Sequence, residues 1–312
     1  MKETIRIACA SDDGYVPHCA ALLASIFENN RNNSVEINIL TEGIASHNVT
    51  RLKSIGEKYG QVVNIVKIPL NCFDGFPIGK RFEGYINRST YYRLLMPSLF
   101  KNYDKILYLD CDIIVVSDLL TLWNTAIDGY AIAGVKDSIN NQISGPCRLG
   151  YDPKDAYFNA GVGLWNLKYL RSINFDEKVK DYLKENYNRI LFHDQDILNA
   201  LLHGRYYELS IKWNLMGIFL RGADYVRLKE EWLDDMKKPC IIHFADTLKP
   251  WFKECDNPYK DLYWRYLRIT PWVYYKATFK YPFVRRMKFY TKKFLKSILR
   301  ICGVKRYSKF KK

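Results

Sequence analysis

A chain of 312 residues with 48% apolar content can bury a full hydrophobic core, as one large domain or two modest ones, and it holds no run near the roughly 18 apolar residues of a membrane-spanning helix. Its net charge of +15 is uneven: residues 271–312 carry 14 of the 48 Lys and Arg and no carboxylate, which leaves 34 basic against 33 acidic residues elsewhere. A neutral body argues against a basic nucleic-acid groove, and eight scattered cysteines without a C-x-x-C pair give no zinc or disulfide framework. With an N-terminal apolar run too short for a signal peptide, this predicts a cytoplasmic location.

The first half alternates β-branched runs with helical patterns, which predicts a parallel or mixed α/β sheet. In chain order, a strand is expected at 4–10, then a helix in which Ala20, Leu23, Ala24 and Phe27 recur at helical spacing. Strands at 35–40 and 62–68 flank a helix over about 46–59, and a helix at 89–99 precedes strands at 105–110 and 130–135. Residues 138–160 contain Gly, Pro and Asn and read as a long functional loop. A strand at 162–166, helices near 167–187 and 194–203, and a strand at 239–244 complete the body.

The strands are apolar on both faces, as a covered sheet requires, and such sheets bind ligands at the carboxyl ends of their strands. Asp12, Asp13, Asp110, Asp112 and Asp137 all fall at or just after a predicted strand end. The acidic residues therefore gather on one rim.

Within a strand, residues i and i+2 share a face, so Asp110 and Asp112 can aim two carboxylates at one point. Repulsion between them is relieved by a hard divalent cation with oxygen ligands, Mg²⁺ or Mn²⁺, which keeps positions open for a phosphate-bearing substrate. Taken alone, D-x-D also serves as a turn or helix cap. His243, at the end of an apolar strand, offers a third ligand, and Lys249 a point charge for a diphosphate. The run FNAGVGLWN (158–166) offers amides and little bulk, either for a polar ligand or as a tight turn into a strand. In HDQDILN (193–199) the apolar stripe is core, and Asp194 stands at a plausible N-cap or beside a sugar.

Taken in order, ASDDGY (10–15), STYYRLLMP (89–97), ILYLDCDIIV (106–115), FNAGVGLWN, HDQDILN and HFADTLKPW (243–251) resemble the family 8 glycosyltransferases over roughly residues 4–265. These are retaining galactosyl- and glucosyltransferases of bacterial lipopolysaccharide and lipooligosaccharide synthesis. The resemblance implies a GT-A fold over 1–265, an α/β, Rossmann-like mixed sheet flanked by helices. It implies Mn²⁺, with Mg²⁺ as the substitute, held by Asp110, Asp112, His243 and the diphosphate of UDP-galactose or UDP-glucose.

At the matching positions Ala10 and Asp12 meet the uracil and ribose, Cys111 lies in the donor site between the two carboxylates, and Arg93 and Asp137 hold the donor sugar region. Asn159, Ala160, Asp194 and Gln195 contact the hexose hydroxyls, and Lys249 binds the phosphates. Gln195 and Asp194 stand nearest the reacting carbon, Gln195 in a positioning role. Same-face attack is favoured by the resemblance over a covalent intermediate. Asp246 departs from the glycine that relatives often carry, and a carboxylate there repels the diphosphate unless it turns away.

The tail, 266–312, is expected to associate with membranes. Phe283, Met287, Tyr290, Phe294, Leu295 and Ile298 recur at helical spacing with Arg286, Lys292, Lys293 and Lys296 between them, the pattern of a basic amphipathic helix on an anionic surface. The other reading is a helix that packs its stripe on the body. The implied acceptor is a lipid-linked glycan at the inner face of the cytoplasmic membrane. Competing functions are a surface- or nucleic-acid-binding protein acting through the tail, and a metal-dependent phosphohydrolase; a nicotinamide dehydrogenase is disfavoured because no G-x-G-x-x-G follows the first strand.

Overall fold

The computed structural model describes residues 3–69, 71–73, 76, 88–137, 139–221 and 230–301. The elements run β1 (Ile5–Ala10), α1 (Val16–Asn29), β2 (Val35–Thr41), α2 (Ser46–Lys58) and β3 (Val62–Lys67). A 3-10 segment, Arg88–Leu95, leads into α3 (Met96–Leu99), β4 (Lys105–Leu109), β5 (Ile113–Val115), α4 (Leu120–Trp123) and β6 (Ile132–Lys136). Then come α5 (Ile139–Leu149), β7 (Phe158–Asn166), α6 (Leu167–Ser172), α7 (Phe175–Asn186), α8 (His193–Leu202), β8 (Tyr206–Glu208) and β9 (Leu215–Met216). The chain closes with α9 (Glu230–Lys237), β10 (Ile241–His243), α10 (Lys260–Leu267) and α11 (Phe283–Ile301).

The main sheet has the order β3-β2-β1-β4-β7-β6-β8. Its pairs are parallel except at β7, which runs antiparallel to both β4 and β6. The carboxyl ends of β1, β4 and β6 and the start of β7 therefore meet on one rim. A small sheet, β5-β10-β9, continues past β4 and sets His243 opposite Ile113, next to Asp112.

Two apolar cores cover the sheet, one beneath α1 and α2 and one beneath α3, α6, α7 and α8. Every residue of α1 from Val16 to Phe27 is buried, and each large apolar side chain there stabilises the fold by about 1.5–3 kcal/mol. On α2 only Asn48, Leu52, Ile55 and Gly56 are buried, the single stripe of a surface helix.

Three expectations are corrected. Residues 139–149, read as loop, form α5 with Pro146 inside it. Gly and Pro disfavour a helix interior, but tertiary contacts prevail: Arg148 donates to both oxygens of Asp196 at 2.8 Å, and Leu149 is buried. The strand expected at 162–166 starts at Phe158, so Asn159 and Ala160 lie within it, opposite a register shift between Gly134 and Val135. The D-x-D carboxylates are not in a strand: β4 ends at Leu109, and the turn to β5 carries them.

Beyond α10 the chain still packs on the body. Thr278 bridges to Phe252, and the buried Glu254 accepts hydrogen bonds from the amides of Lys280 and Tyr281 at 3.0 and 3.2 Å. Then α11 departs with its apolar residues exposed, Phe283 and Phe294 at 65% and Met287 at 51%. Among the described residues no helix is long and apolar enough to cross a membrane; residues 302–312 of the expected tail lie outside them.

Candidate active site

A cleft of about 440 Å³ opens on the rim where the strand ends meet. It is lined by Ala10, Arg93, Asp110, Cys111, Asp112, Asp137, Asn159, Ala160, Asp194, Gln195, His243 and Lys249. Of the residues assigned to the site by the resemblance, Asp12 is not in the lining: its side chain caps the turn after β1 by accepting from the Tyr15 amide at 2.8 Å. Asp13 also turns away, accepting from the Ala45 amide and Asn48 Nδ2.

Asp110, Asp112 and His243 present one ligand atom each within 4.8 Å of one another. The turn holding them is pinned by main-chain bonds, Asp110 N to Gly161 O and Phe244 N to Asp112 O. His243 Nδ1 lies 2.9 Å from Asn214 Oδ1, which can only accept, so Nδ1 donates there and Nε2 is the ring nitrogen turned to the carboxylates. Nε2 is 3.2 Å from Asp112 Oδ1 and 3.8 Å from Asp110 Oδ2. Asn214 is itself held by donating to Asn159 Oδ1 at 2.9 Å.

Gly161 makes this approach possible: a Cβ there would stand 2.3 Å from His243 Cε1 and 2.7 Å from Asp110 Oδ2. Two carboxylates and an imidazole anchored through Nδ1 are a donor set that fits Mn²⁺ or Mg²⁺. Burial opposes charge on Asp112, but Lys249 and His243 outweigh it and hold this carboxyl well below the usual carboxylate range. Lys249 Nζ lies 2.5 Å from Asp112 Oδ2 and donates to Phe244 O. The lysine expected to bind phosphate thus rests on Asp112.

The segment carrying Lys249 is seated on an aromatic stack in which His18 lies 3.5 Å from Trp251, ring to ring. Burial drives the His18 pKa down to about 3, so its imidazole packs as a neutral group.

Arg93, expected to hold the donor sugar, sits almost wholly buried beneath the cleft. It donates to Asp110 Oδ1 at 2.7 Å and to Ala160 O at 2.6 Å, and its guanidinium carbon is 4.1 Å from the Tyr108 ring centre. Asp194 is not a helix N-cap. It lies in the first turn of α8, where Thr90 donates to Oδ1 and Arg93 Nε stands 3.0 Å from Oδ2 without the alignment of a hydrogen bond. Burial raises its pKa against the pull of Arg93 and Thr90. Capping falls to Asp196, which accepts from the Leu191 and Phe192 amides at 2.7 Å.

Gln195 is locked at both ends: Oε1 accepts from the Ala160 amide at 3.0 Å, and Nε2 donates to Asp137 at 2.6 Å. Its amide is thereby held in one orientation. Asp246 lines the cleft beside Gly217, where a Cβ would meet Asp246 Oδ2 at 2.3 Å. The carboxylate that departs from the family pattern is thus accommodated by a missing side chain on β9's flank.

Tyr15, Thr90, Tyr108 and Asn214 belong to this site or its support and were not identified individually from the sequence. The first two lie inside the ASDDGY and STYYRLLMP runs, and Tyr108 inside ILYLDCDIIV. Asn214 precedes a two-residue strand and carries no sequence signal.

The family model for Glycosyl transferase family 8 matches residues 6–255. General stress protein A of Bacillus subtilis (strain 168) is 27% identical over 278 residues, spanning 86% of this chain and 95% of that one. A lipopolysaccharide 1,2-glucosyltransferase of Escherichia coli is 26% identical over 311 residues, spanning 95% and 89%. The solved structure of the galactosyltransferase LgtC in complex with donor and acceptor sugar analogues superposes with a TM-score of 0.77 at 23% identity, covering 91% of this chain and 100% of that one. That likeness shows a shared GT-A fold, with its mixed central sheet flanked by helices.

Proposed function

The chain belongs to Glycosyl transferase family 8 and is a glycosyltransferase, and from that premise we propose that it moves galactose or glucose from a UDP-sugar to a lipid-linked glycan with retention of configuration. The observation that carries this reading is a cation-ready Asp110–Asp112–His243 set in the same cleft as a buried carboxylate, Asp194, whose Oδ2 is paired with Arg93 Nε at 3.0 Å but has no hydrogen-bond partner among the described residues. An ion site and a second carboxylate in one cleft suit a nucleotide sugar.

Asp110, Asp112 and His243 would hold Mn²⁺ or Mg²⁺, which supplies Lewis-acid stabilisation of the charge that develops on the leaving diphosphate. Lys249, beside Asp112, would share its ammonium with the phosphate oxygens. Ala10 and Cys111 would border the nucleotide, while Asn159, Ala160 and Asp137 would frame the hexose. Gln195, fixed by four groups of the cleft floor, would orient the donor rather than attack it. Asp194 Oδ2 would accept from a hexose hydroxyl, leaving same-face attack by the acceptor as the route to retention.

The acceptor reading rests on α11, whose apolar stripe lies exposed between basic residues. Such a helix lies on an anionic membrane, which would bring the cleft to a lipid-anchored acceptor.

Calorimetric titration with UDP in Mn²⁺, then in EDTA, then with Asp110→Asn tests the site. Binding that needs Mn²⁺ and disappears in the folded variant is expected, followed by hydrolysis or transfer when UDP-galactose and UDP-glucose are supplied. Folded protein that ignores UDP under every condition overturns the reading.

A further inference from the structure

A second cluster of metal-ligand type lies behind the catalytic turn. The sulfurs of Cys9, Cys19 and Cys111 are within 4.8 Å of one another, brought together from β1, α1 and the turn between Asp110 and Asp112. Cys9 and Cys19 stand 3.8 Å apart. Bonds of about 2.3 Å from zinc to thiolate place sulfurs about 3.8 Å apart in a tetrahedral site. A disulfide, at about 2.05 Å, would demand a much closer approach from a strand and a helix that the core holds in place.

Cys9 and Cys19 are inaccessible, Cys111 is 5% exposed, and of the three only Cys111 lines the cleft. Among the described residues, Cys111 therefore gives an ion a way in from the cleft. The Ala10 carbonyl, which accepts from Cys111 Sγ at 3.1 Å, is an oxygen at hand for a fourth position.

We propose that Cys9, Cys19 and Cys111 form a binding site for a soft d¹⁰ cation, zinc(II), cadmium(II) or copper(I), distinct from the oxygen-rich site on the other side of the same turn. Thiolates select such ions, whereas carboxylates select Mg²⁺ and Mn²⁺. Metal–sulfur bonds form as thiol protons leave to solvent, and no electrons are exchanged. Because the sulfur ligand Cys111 is flanked by both carboxylates, a soft ion that draws the sulfurs inward also shifts Asp110 and Asp112. Weaker Mn²⁺ binding by the loaded protein follows; that consequence, unlike the sulfur site itself, rests on the function proposed above.

The test titrates the full chain with Cd²⁺ in excess Mg²⁺, with Cys147 and Cys302 replaced by serine, and follows thiolate-to-cadmium charge transfer in the ultraviolet. A band that saturates at one equivalent is expected, weakened at least about tenfold by Cys9→Ala and by Cys19→Ala and unchanged by Cys240→Ala. Circular dichroism and thermal melts establish that each variant is folded. Zinc or copper(I) that displaces the cadmium identifies the preferred ion. Absence of the band in folded protein, or a band indifferent to both alanine variants, overturns the site. A cadmium band in protein that fails to bind Mn²⁺ and UDP supports the sulfur site and removes only the catalytic reading.

Discussion

Arg93 donates from beneath the cleft to Asp110 Oδ1 at 2.7 Å, and the same planar guanidinium lies 3.0 Å from Asp194 on the other side. One buried cation thus fixes Asp110 relative to Asp194. A lysine, as a single point charge, cannot span both. Arg93→Lys is expected to lower kcat by about 100-fold through misplacement on the scale of an ångström. Arg93→Ala, which leaves two carboxylates without their partner, should destabilise the fold by about 3–5 kcal/mol. Steady-state transfer kinetics and denaturant melts measure both, and a lysine variant with wild-type kcat would sink the spanning role.

Asn214 acts one bond behind the ion. By accepting from His243 Nδ1 it holds the ring with Nε2 turned to the carboxylates. Asn214→Leu removes that acceptor, and Mn²⁺ affinity should fall about 10–100-fold, read as free Mn²⁺ by electron paramagnetic resonance. Unchanged affinity in folded protein would mean that the ring is oriented by packing alone.

Gly161→Ala tests the close approach directly. The new methyl would collide with both His243 and Asp110, at an overpacking cost of about 1–3 kcal/mol. The expected outcome is a folded protein that has lost Mn²⁺-dependent UDP binding; retention of that binding would show that the two ligands need not meet at this point.

Asp112 and Asp194 carry opposite pH signatures. The folded-state pKa of Asp112 is depressed: burial opposes its charge, but Lys249 and His243 prevail. Its contribution to stability is complete above the unfolded value of about 3.9 and is lost as pH falls toward the folded value. Asp194 is raised, chiefly by burial, so its contribution is complete below about 3.9 and is lost as pH rises through the raised value. In cation-free protein, Asp112→Asn should therefore flatten the acid-side loss of stability and Asp194→Asn the loss on rising pH, each by a slope of at most about 1.4 kcal/mol per pH unit. Urea melts across the carboxylate range decide, and displacement of both profiles in the same direction would contradict the assignment.

Long β-branched runs made β1 to β4 legible because both faces of each strand are covered, and the rim follows from where those strands stop. The cleft residues were legible because they sit in short motifs at strand ends. What the sequence hid depends on distance and on facing. Asp194 and Asp196, two residues apart at the start of α8, divide the work of cleft and cap, and only Arg93 on one side and Arg148 on the other show which does which. The α5 helix was hidden by Gly145 and Pro146, whose local preference is overruled by the Arg148–Asp196 contact. Cys9, Cys19 and Cys111 read as scattered because a strand, a helix and a turn bring them together, and no spacing rule spans those separations.

The last prediction concerns α11. Residues Phe283, Met287, Phe294 and Leu295 are more than half exposed, which favours the membrane over the packed alternative for this helix. Lys293 reaches Asp256 at 3.5 Å, but both side chains are more than half exposed, and such a pair is too weak to hold the helix down. If Arg285, Arg286, Lys288 and Lys293 each contribute about 1 kcal/mol near an anionic surface, partition onto phosphatidylglycerol vesicles should exceed that onto neutral vesicles by about 1,000-fold at low salt. Met287→Glu with Phe294→Glu should abolish sedimentation with either vesicle while leaving UDP binding at the cleft unchanged. Equal partition onto the two vesicles would remove the electrostatic part of this reading. Indifference to the glutamates would remove the apolar part, and the exposed stripe would then be a surface for a second protein.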